Sequence, residues 1–300
     1  MKPVYMKGAI KMSQKIGVVD VGGGYRGIYA AGVLDYCLDN GIRFDLGIGV
    51  SAGSANIASY TAGQARRNRQ FYSEFGLRRE YASAANFIHK RSFIDLDYVY
   101  GTLSNSDGES PLDYEAIMRN PAEMITVATE AETGEAKYFT KADLAQDRYD
   151  IFKASSAIPV VCMPHEVDGV LYYDGALSDP VPILKAFEMG CDKVVLLLTL
   201  PQDQPRSPKK DAALARQLKR IYPQAAKALE SRAATYNASV ALAKAFAEQG
   251  KLLIVAPDDT CGVSTLTRDK GKLLALYEKG VQDGAQIRAF VSDHPLKSAD

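Results

Sequence analysis

Histidine is scarce in this chain: His89, His165 and His294 are the three among 300 residues. A hydrolase running Ser…Asp…His in chain order needs an imidazole after its acid. Only His294, six residues from the C-terminus, follows the candidate acid Asp174. Cysteine is as sparse. Cys37, Cys162, Cys191 and Cys261 stand far apart, three of them inside apolar runs. That spacing suits buried reduced thiols and offers no metal-ligand cluster, so neither a metal nor another cofactor is expected. Net charge is missing too: 36 Lys and Arg offset 36 Asp and Glu, which argues against a nucleic-acid footprint over the whole surface. The longest apolar runs, such as Val194 to Leu198, are far too short to span a bilayer. Residues 1–15 hold no stretch apolar enough for a signal peptide. They are read as an N-terminal tail, with Met12 a second candidate start and residues 1–11 then an addition. The expectation is a cytoplasmic protein without internal repeats.

Glycine, by contrast, is concentrated where it carries meaning. Gly49-Val50-Ser51-Ala52-Gly53 fits the G-x-S-x-G nucleophile elbow, after the strand-like Leu46–Val50 and before a small-residue helix from Ala52 to Ala62. At such a turn the serine hydroxyl is exposed on a strained backbone, and close approach leaves no room for a Cβ at Gly49 or Gly53. Gly22-Gly23-Gly24-Tyr25-Arg26-Gly27 lies between a strand, Ile16–Val21, and a helix marked by Ala30, Val33, Leu34 and Cys37. Gly22, Gly24 and Gly27 also fit the dinucleotide fingerprint G-x-G-x-x-G, and Asp45 lies about 20 residues on, where a ribose ligand is expected. That fingerprint does not require Gly23 or a serine elbow close behind. Three consecutive glycines at a helix start expose N–H groups that suit an oxyanion as well as a phosphate. Arg26 adds positive charge or ties the loop down.

A third element reads as a hairpin, Val167 to Ala176, turning at Asp168-Gly169. It places Asp174 at a strand end, with Gly175 allowing a sharp exit. With no well-placed histidine, a Ser51–Asp174 dyad is more economical than a triad. A free carboxylate is a weak base, and burial raises its pKa towards a useful range.

These segments together resemble the patatin-like phospholipases, in particular bacterial members with a C-terminal extension. The family's G-G-G-x-R-G loop, G-x-S-x-G elbow and D-G-A motif appear in order as Gly22–Gly27, Gly49–Gly53 and Asp174-Gly175-Ala176. Ala154-Ser155-Ser156-Ala157-Ile158-Pro159 is similar to its A-S-x-A-x-P segment. A strand pair from Met124 to Phe139 precedes that segment. One departure is Val21, where the family has a small or acidic residue; Asp20 sits one place earlier. The resemblance covers roughly residues 16–200. It implies hydrolysis of lipid acyl esters by a catalytic dyad, Ser51 and Asp174, through an acyl-enzyme. Gly22, Gly23, Gly24, Arg26 and Ala52 form the oxyanion hole in this reading, supported by Gly27, Gly49, Gly53, Gly175 and Ala176. The substrates expected are phospholipids or lysophospholipids.

Alternation of strands and helices predicts an α/β fold, a mainly parallel sheet with flanking helices in three layers. Residues 16–204 form the catalytic core in this reading. Residues 205–300 form a helical extension with one strand at Leu252–Ala256, packed on the core. A long helical region reaches Gln249, and a further helix spans Leu266–Ala289. Polar and aromatic residues 65–120 are placed over the site. Basic residues Arg206, Lys209, Lys210, Arg216, Lys219 and Arg220 flank Leu214, Leu218 and Ile221 at helical spacing. That helix either packs on the core or lies on an anionic membrane as a peripheral contact. A nucleotide-binding protein, a lipid-binding protein without turnover and an acyltransferase remain open alternatives.

Overall fold

The computed structural model describes residues 14–292. The candidate addition at residues 1–11, Met12 and His294 lie outside them. Strand Ile16–Asp20 (β1) passes through the glycine-rich turn into helix Ile28–Asp39 (α1), and Leu46–Val50 (β2) passes into Ala52–Thr61 (α2). Short helices Arg67–Ser73 (α3), Ala84–Lys90 (α4) and Tyr114–Arg119 (α5) precede an antiparallel pair, Glu123–Glu130 (β3) and Ala136–Thr140 (β4). Helix Asp150–Ser156 (α6) leads to the hairpin His165–Val167 (β5) and Val170–Asp174 (β6). Then come Ile183–Glu188 (α7), Lys193–Leu197 (β7), Lys209–Leu218 (α8), Pro223–Glu248 (α9), Leu252–Val255 (β8), Lys270–Asp283 (α10) and Ala285–Val291 (α11).

The strands form one sheet in the order β5-β6-β3-β2-β1-β7-β8, with β4 also paired to β3. The run β3-β2-β1-β7-β8 is parallel throughout, while β4 and β6 run antiparallel to β3. This is an α/β fold with a mostly parallel sheet flanked by helices. Its central strands are apolar on both faces because both faces are covered. Val18, Val195 and Leu197 face a core shared with Ile28, Val33, Ile57 and Leu276, from α1, α2 and α10. Val19, Ile48 and Leu196 face the opposite core, with Ile183 of α7 and Tyr236 and Val240 of α9. Helix α10 lies against α1, where Tyr277 donates to the buried Asp35 (2.8 Å) and Tyr29 to Asp283 (2.7 Å).

The elements differ from the sequence reading in the last third of the chain. The long helical region is two helices, because Pro223 lacks the N–H to continue α8 and instead starts α9. The helix expected over Leu266–Ala289 begins at Lys270, where the Asp269 side chain accepts the N–H of Lys272 (3.1 Å), and is divided at Gly284. The leucines of residues 206–220 pack on neighbouring side chains of the chain. Leu218 is buried and Leu214 half-buried against Leu229 and Tyr222, whereas Ile221 is exposed. Arg206 precedes the helix and is half-buried. Among the described residues, no helix is long and apolar enough to cross a membrane.

Candidate active site

Strand β3 sets the distance between the two candidate catalytic residues. Val127 pairs with Val50, and the next residue, Ala128, pairs with Asp174. On the other edge of β3 the same two residues pair with Tyr138 and Lys137 of β4. So β2 and β6 lie end to end along one edge, and Ser51, just past the end of β2, meets Asp174 at the end of β6. The two residues are buried, and the Ser51 side chain is close enough to the Asp174 carboxylate to help hold its pKa down.

The elbow is local chemistry. Ser51 has φ 57° and ψ −129°, a conformation L-residues rarely adopt, held by contacts on both sides. Its N–H donates to Oγ of the buried Ser155 (2.9 Å), and its carbonyl accepts the Ser54 hydroxyl (2.6 Å). A Cβ on Gly49 would sit 2.4 Å from Cα of Ser54, and one on Gly53 would sit 2.3 Å from the Asp20 carbonyl. Those approaches account for both glycines.

Asp174 is fixed by its backbone as well as its side chain. Its N–H donates to the Ala157 carbonyl (2.9 Å) and its carbonyl accepts the Thr129 hydroxyl (2.9 Å). Oδ1 accepts the N–H of Ala176 (2.8 Å), which gives the Asp-Gly-Ala motif a physical reason. Burial pushes the carboxyl above its usual range. The Ser51 side chain, the Ala176 N–H, Arg232 and Arg206 offset part of that rise.

The glycine-rich turn lies beside the elbow, close enough that a Cβ on Gly22 would meet the N–H groups of Gly53 and Ala52. Asp20 organises it. One carboxylate oxygen accepts the Gly22 N–H (2.9 Å) and the other accepts Nδ2 of Asn56 (2.8 Å). Gly22 is therefore a correction to the oxyanion set, because its donor is already committed to Asp20. Its carbonyl is committed as well, to the Thr199 hydroxyl (2.5 Å). The Tyr25 N–H goes to the Thr265 carbonyl (3.1 Å). The N–H groups of Gly23, Gly24 and Ala52 stand at helix starts, where no intrahelical acceptor exists. The departure at Val21 has its compensation: Val21 is buried in the sheet core, and the acid one place earlier supports the turn. Gly27 contributes its carbonyl to Asn56 (2.9 Å).

The other candidates are not brought here. His165 lies on β5, opposite Tyr172, with Nε2 against Asp150 (3.0 Å). His89 is exposed on α4. Asp45 precedes β2, at the opposite end of the sheet from the glycine turn, and accepts the Ile16 N–H (2.8 Å). It cannot reach a ribose bound at Gly22–Gly27, which removes the main support for the dinucleotide reading. Among the described residues no group of three or more His, Cys, Asp or Glu side chains is placed to hold a metal ion.

Ser51, Ala52 and Gly24 open onto a mostly apolar pocket walled by Phe71, Tyr72, Ile94, Leu96, Val99 and Leu103. Most of that wall comes from the segment between α2 and β3. Thr265 and Leu266 complete it from the last third of the chain. Arg67 also reaches the wall; its guanidinium bonds to Ser104 Oγ and the Ser110 carbonyl (both 2.8 Å), and burial lowers its pKa to about 10. Sequence reasoning missed the roles of Thr199, Thr265 and Ser155, although Ser155 lay within the segment Ala154–Pro159 singled out beforehand.

A family model described as patatin-like phospholipase matches residues 21–187, and a domain of unknown function (DUF6363) matches residues 222–291. The chain is 28% identical over 210 residues to the uncharacterized protein YjjU of Escherichia coli K12, covering 65% of this chain and 55% of that protein. It is 35% identical over 80 residues to the uncharacterized NTE family protein Rv1063c of Mycobacterium tuberculosis H37Rv, covering 27% and 21% respectively. The chain thus spans about half the length of YjjU and less of the mycobacterial protein. A crystal structure of VipD from Legionella pneumophila superposes with a TM-score of 0.48 at 12% identity, over 94% of this chain and 67% of that one.

Proposed function

We propose, from the premise that the chain belongs to the patatin-like phospholipase family, whose model covers more than half of it, that it hydrolyses carboxylic esters of phospholipids or lysophospholipids through an acyl-enzyme on Ser51. The observation that carries this reading is the register of β3, which sets the strained Ser51 elbow against the buried Asp174. A serine hydroxyl is a weak nucleophile and needs a base. Asp174 accepts its proton as Oγ attacks the ester carbonyl. The raised pKa makes Asp174 a stronger base than a solvated carboxylate.

Negative charge develops on the carbonyl oxygen in the tetrahedral intermediate. The N–H groups of Gly23, Gly24 and Ala52 are the donors suited to it, and each such donor is typically worth on the order of 10²–10³ in rate. Collapse of the intermediate expels the alcohol, which takes the proton from Asp174. Asp174 then draws a proton from water, the hydroxide attacks the acyl-enzyme, and the fatty acid leaves as Ser51 Oγ takes that proton back from Asp174. The apolar pocket at Ser51 suits the acyl chain. Acyl transfer to an alcohol other than water uses the same intermediate.

A fluorophosphonate probe is expected to label Ser51 and to fail on Ser51→Ala. A lipid panel is expected to release fatty acid with the wild type and none with the variant. Labelling that persists unchanged in Ser51→Ala, or maps to another residue, overturns the assignment.

A further inference from the structure

The pocket at Ser51 has a direction, and it runs to an arginine. Ala52, Ala55 and Ser59 stand at i, i+3 and i+7 on α2, so they share one face of the helix. Ala52 and Ala55 line the pocket with nothing longer than a methyl group. Further along that face, Ser59 Oγ accepts Nη1 of Arg67, from α3 (3.1 Å). A second wall leads to the same place. Val99 and Leu103 line the pocket, and the next residue, Ser104, accepts Nη2 of Arg67 on its Oγ (2.8 Å). Arg67 thus ties one wall to the other. The carbonyls of Ser110 and Pro111 accept its Nη2 and Nε (2.8 and 3.3 Å) and complete its hold.

On its far side Arg67 meets a different surface. Arg67 and Ser110 also border a more polar, open hollow, together with Gln64, Glu74 and Glu109. One side chain therefore separates the apolar interior from the outside. A chain too long for the pocket must drive Arg67 out of this wall. That breaks its bonds to four oxygens, and one charge-assisted hydrogen bond already outweighs the burial of one further methylene. The space available follows from helix geometry. The step from Ala52 to Ser59 is about 10 Å along the α2 axis. An extended acyl chain advances about 1.25 Å per carbon, so about eight carbons fit between Ser51 and Arg67.

We propose that Arg67 is the end wall of the acyl pocket and limits the chain this enzyme accepts to about eight carbons. This rests on the hydrolase reading and narrows its substrates to esters of medium-chain acids. The acyl chain lies along Ala52 and Ala55 with its methyl end against the guanidinium. Arg67 meets that end and not the reacting atoms, so it acts on chain length and leaves the chemistry at Ser51 alone.

The test is kcat/KM on p-nitrophenyl esters of four-, eight- and twelve-carbon acids, in the wild type, Arg67→Ala and Ala55→Leu. The wild type is expected to favour the eight-carbon ester over the twelve-carbon one by about tenfold or more. A wild type that takes both equally well overturns the proposal without any variant. Arg67→Ala opens the wall and is expected to raise the twelve-to-eight ratio about tenfold. The four-carbon ester, too short to reach Arg67, is expected to keep its rate. Equal losses on all three esters mean that Arg67 only holds the fold together, and overturn the proposal. Ala55→Leu narrows the pocket with Arg67 in place, so it carries the test where Arg67→Ala does not fold. It is expected to lower the eight-to-four ratio about tenfold; an unchanged ratio overturns the route along α2 and with it the end wall. A further arm needs no turnover: calorimetry of octanoate and dodecanoate with Ser51→Ala and with Ser51→Ala/Arg67→Ala. Octanoate is expected to bind Ser51→Ala more tightly than dodecanoate, and the double variant to lose that order. This result supports the end wall even if no ester is cleaved, in which case only the hydrolase reading fails. Dodecanoate binding to Ser51→Ala as tightly as octanoate overturns it.

Discussion

Asp20 accepts the N–H of Gly22 two residues along, at 2.9 Å, from a position with no exposed surface. Burial raises its pKa to about 6, against the hydrogen bonds from Asn56 and Gly22 that hold it down. The folded state therefore binds this proton more tightly than the unfolded chain. That favours folding below about pH 4 and is lost as pH rises to about 6, a change of about 3 kcal/mol. Asp20→Asn is neutral throughout. Denaturant unfolding of the two proteins from pH 4 to 7 is expected to show the difference in stability moving in favour of the variant as pH rises. A difference independent of pH would contradict the raised pKa.

Asp174 gives a pH dependence of activity. Its pKa is raised by burial, and the base must be ionised to accept the Ser51 proton. The acid limb of kcat/KM for a short-chain ester is expected above the range of a free carboxylate. Asp174→Asn is expected to lower kcat by on the order of 10²–10⁴-fold with the fold intact by circular dichroism. His165, committed to Asp150, is expected to tolerate alanine with most activity kept. A folded His165→Ala as inactive as Ser51→Ala would defeat the dyad.

Ser155 offers a separate test of how the elbow is held. It is the acceptor for the buried Ser51 N–H, and Ser155→Ala leaves that donor unpaired. Such a loss typically costs about 1–3 kcal/mol. Chemical denaturation is expected to show that decrease, with a drop in kcat, because the strained φ of Ser51 depends on its neighbours. Stability and kcat both equal to wild type would mean the bond is not made.

What was legible in the sequence was local. Gly49, Ser51 and Gly53 declare the elbow because their spacing and the flanking strand and helix are contiguous. Asp174 was found through the Asp168-Gly169 turn, which sets the register of β5 on β6. The glycine triplet showed that backbone donors cluster, but not which one is free. Gly22 was included because nothing in a linear reading says that the Asp20 side chain turns back onto it. Thr265 was illegible for a different reason. It reaches Arg26 from 239 residues away in the chain. The basic run at Arg206–Arg220 even suggested a single helical face, because periodicity does not reveal that Arg206 precedes the helix.

The packing of α8 yields a last prediction, and it separates the two readings of its charges. Leu218 is buried, with Leu229 in the same cluster, while Lys209, Lys210, Lys219 and Arg220 point to solvent. If the apolar face belongs to the core, truncating it must cost stability and removing the charges must not. Leu218→Ala is expected to destabilise by about 2–5 kcal/mol. The fourfold glutamine variant of Lys209, Lys210, Lys219 and Arg220 is expected to stay within about 0.5 kcal/mol of wild type. Its binding to anionic vesicles at low salt is expected to match wild type, because an amphipathic helix must bury its apolar face in lipid to bind, and Leu218 and part of Leu214 on this face are already packed. Weaker vesicle binding by the glutamine variant alone, with unchanged stability, would mean that the basic residues meet a membrane although the leucines do not.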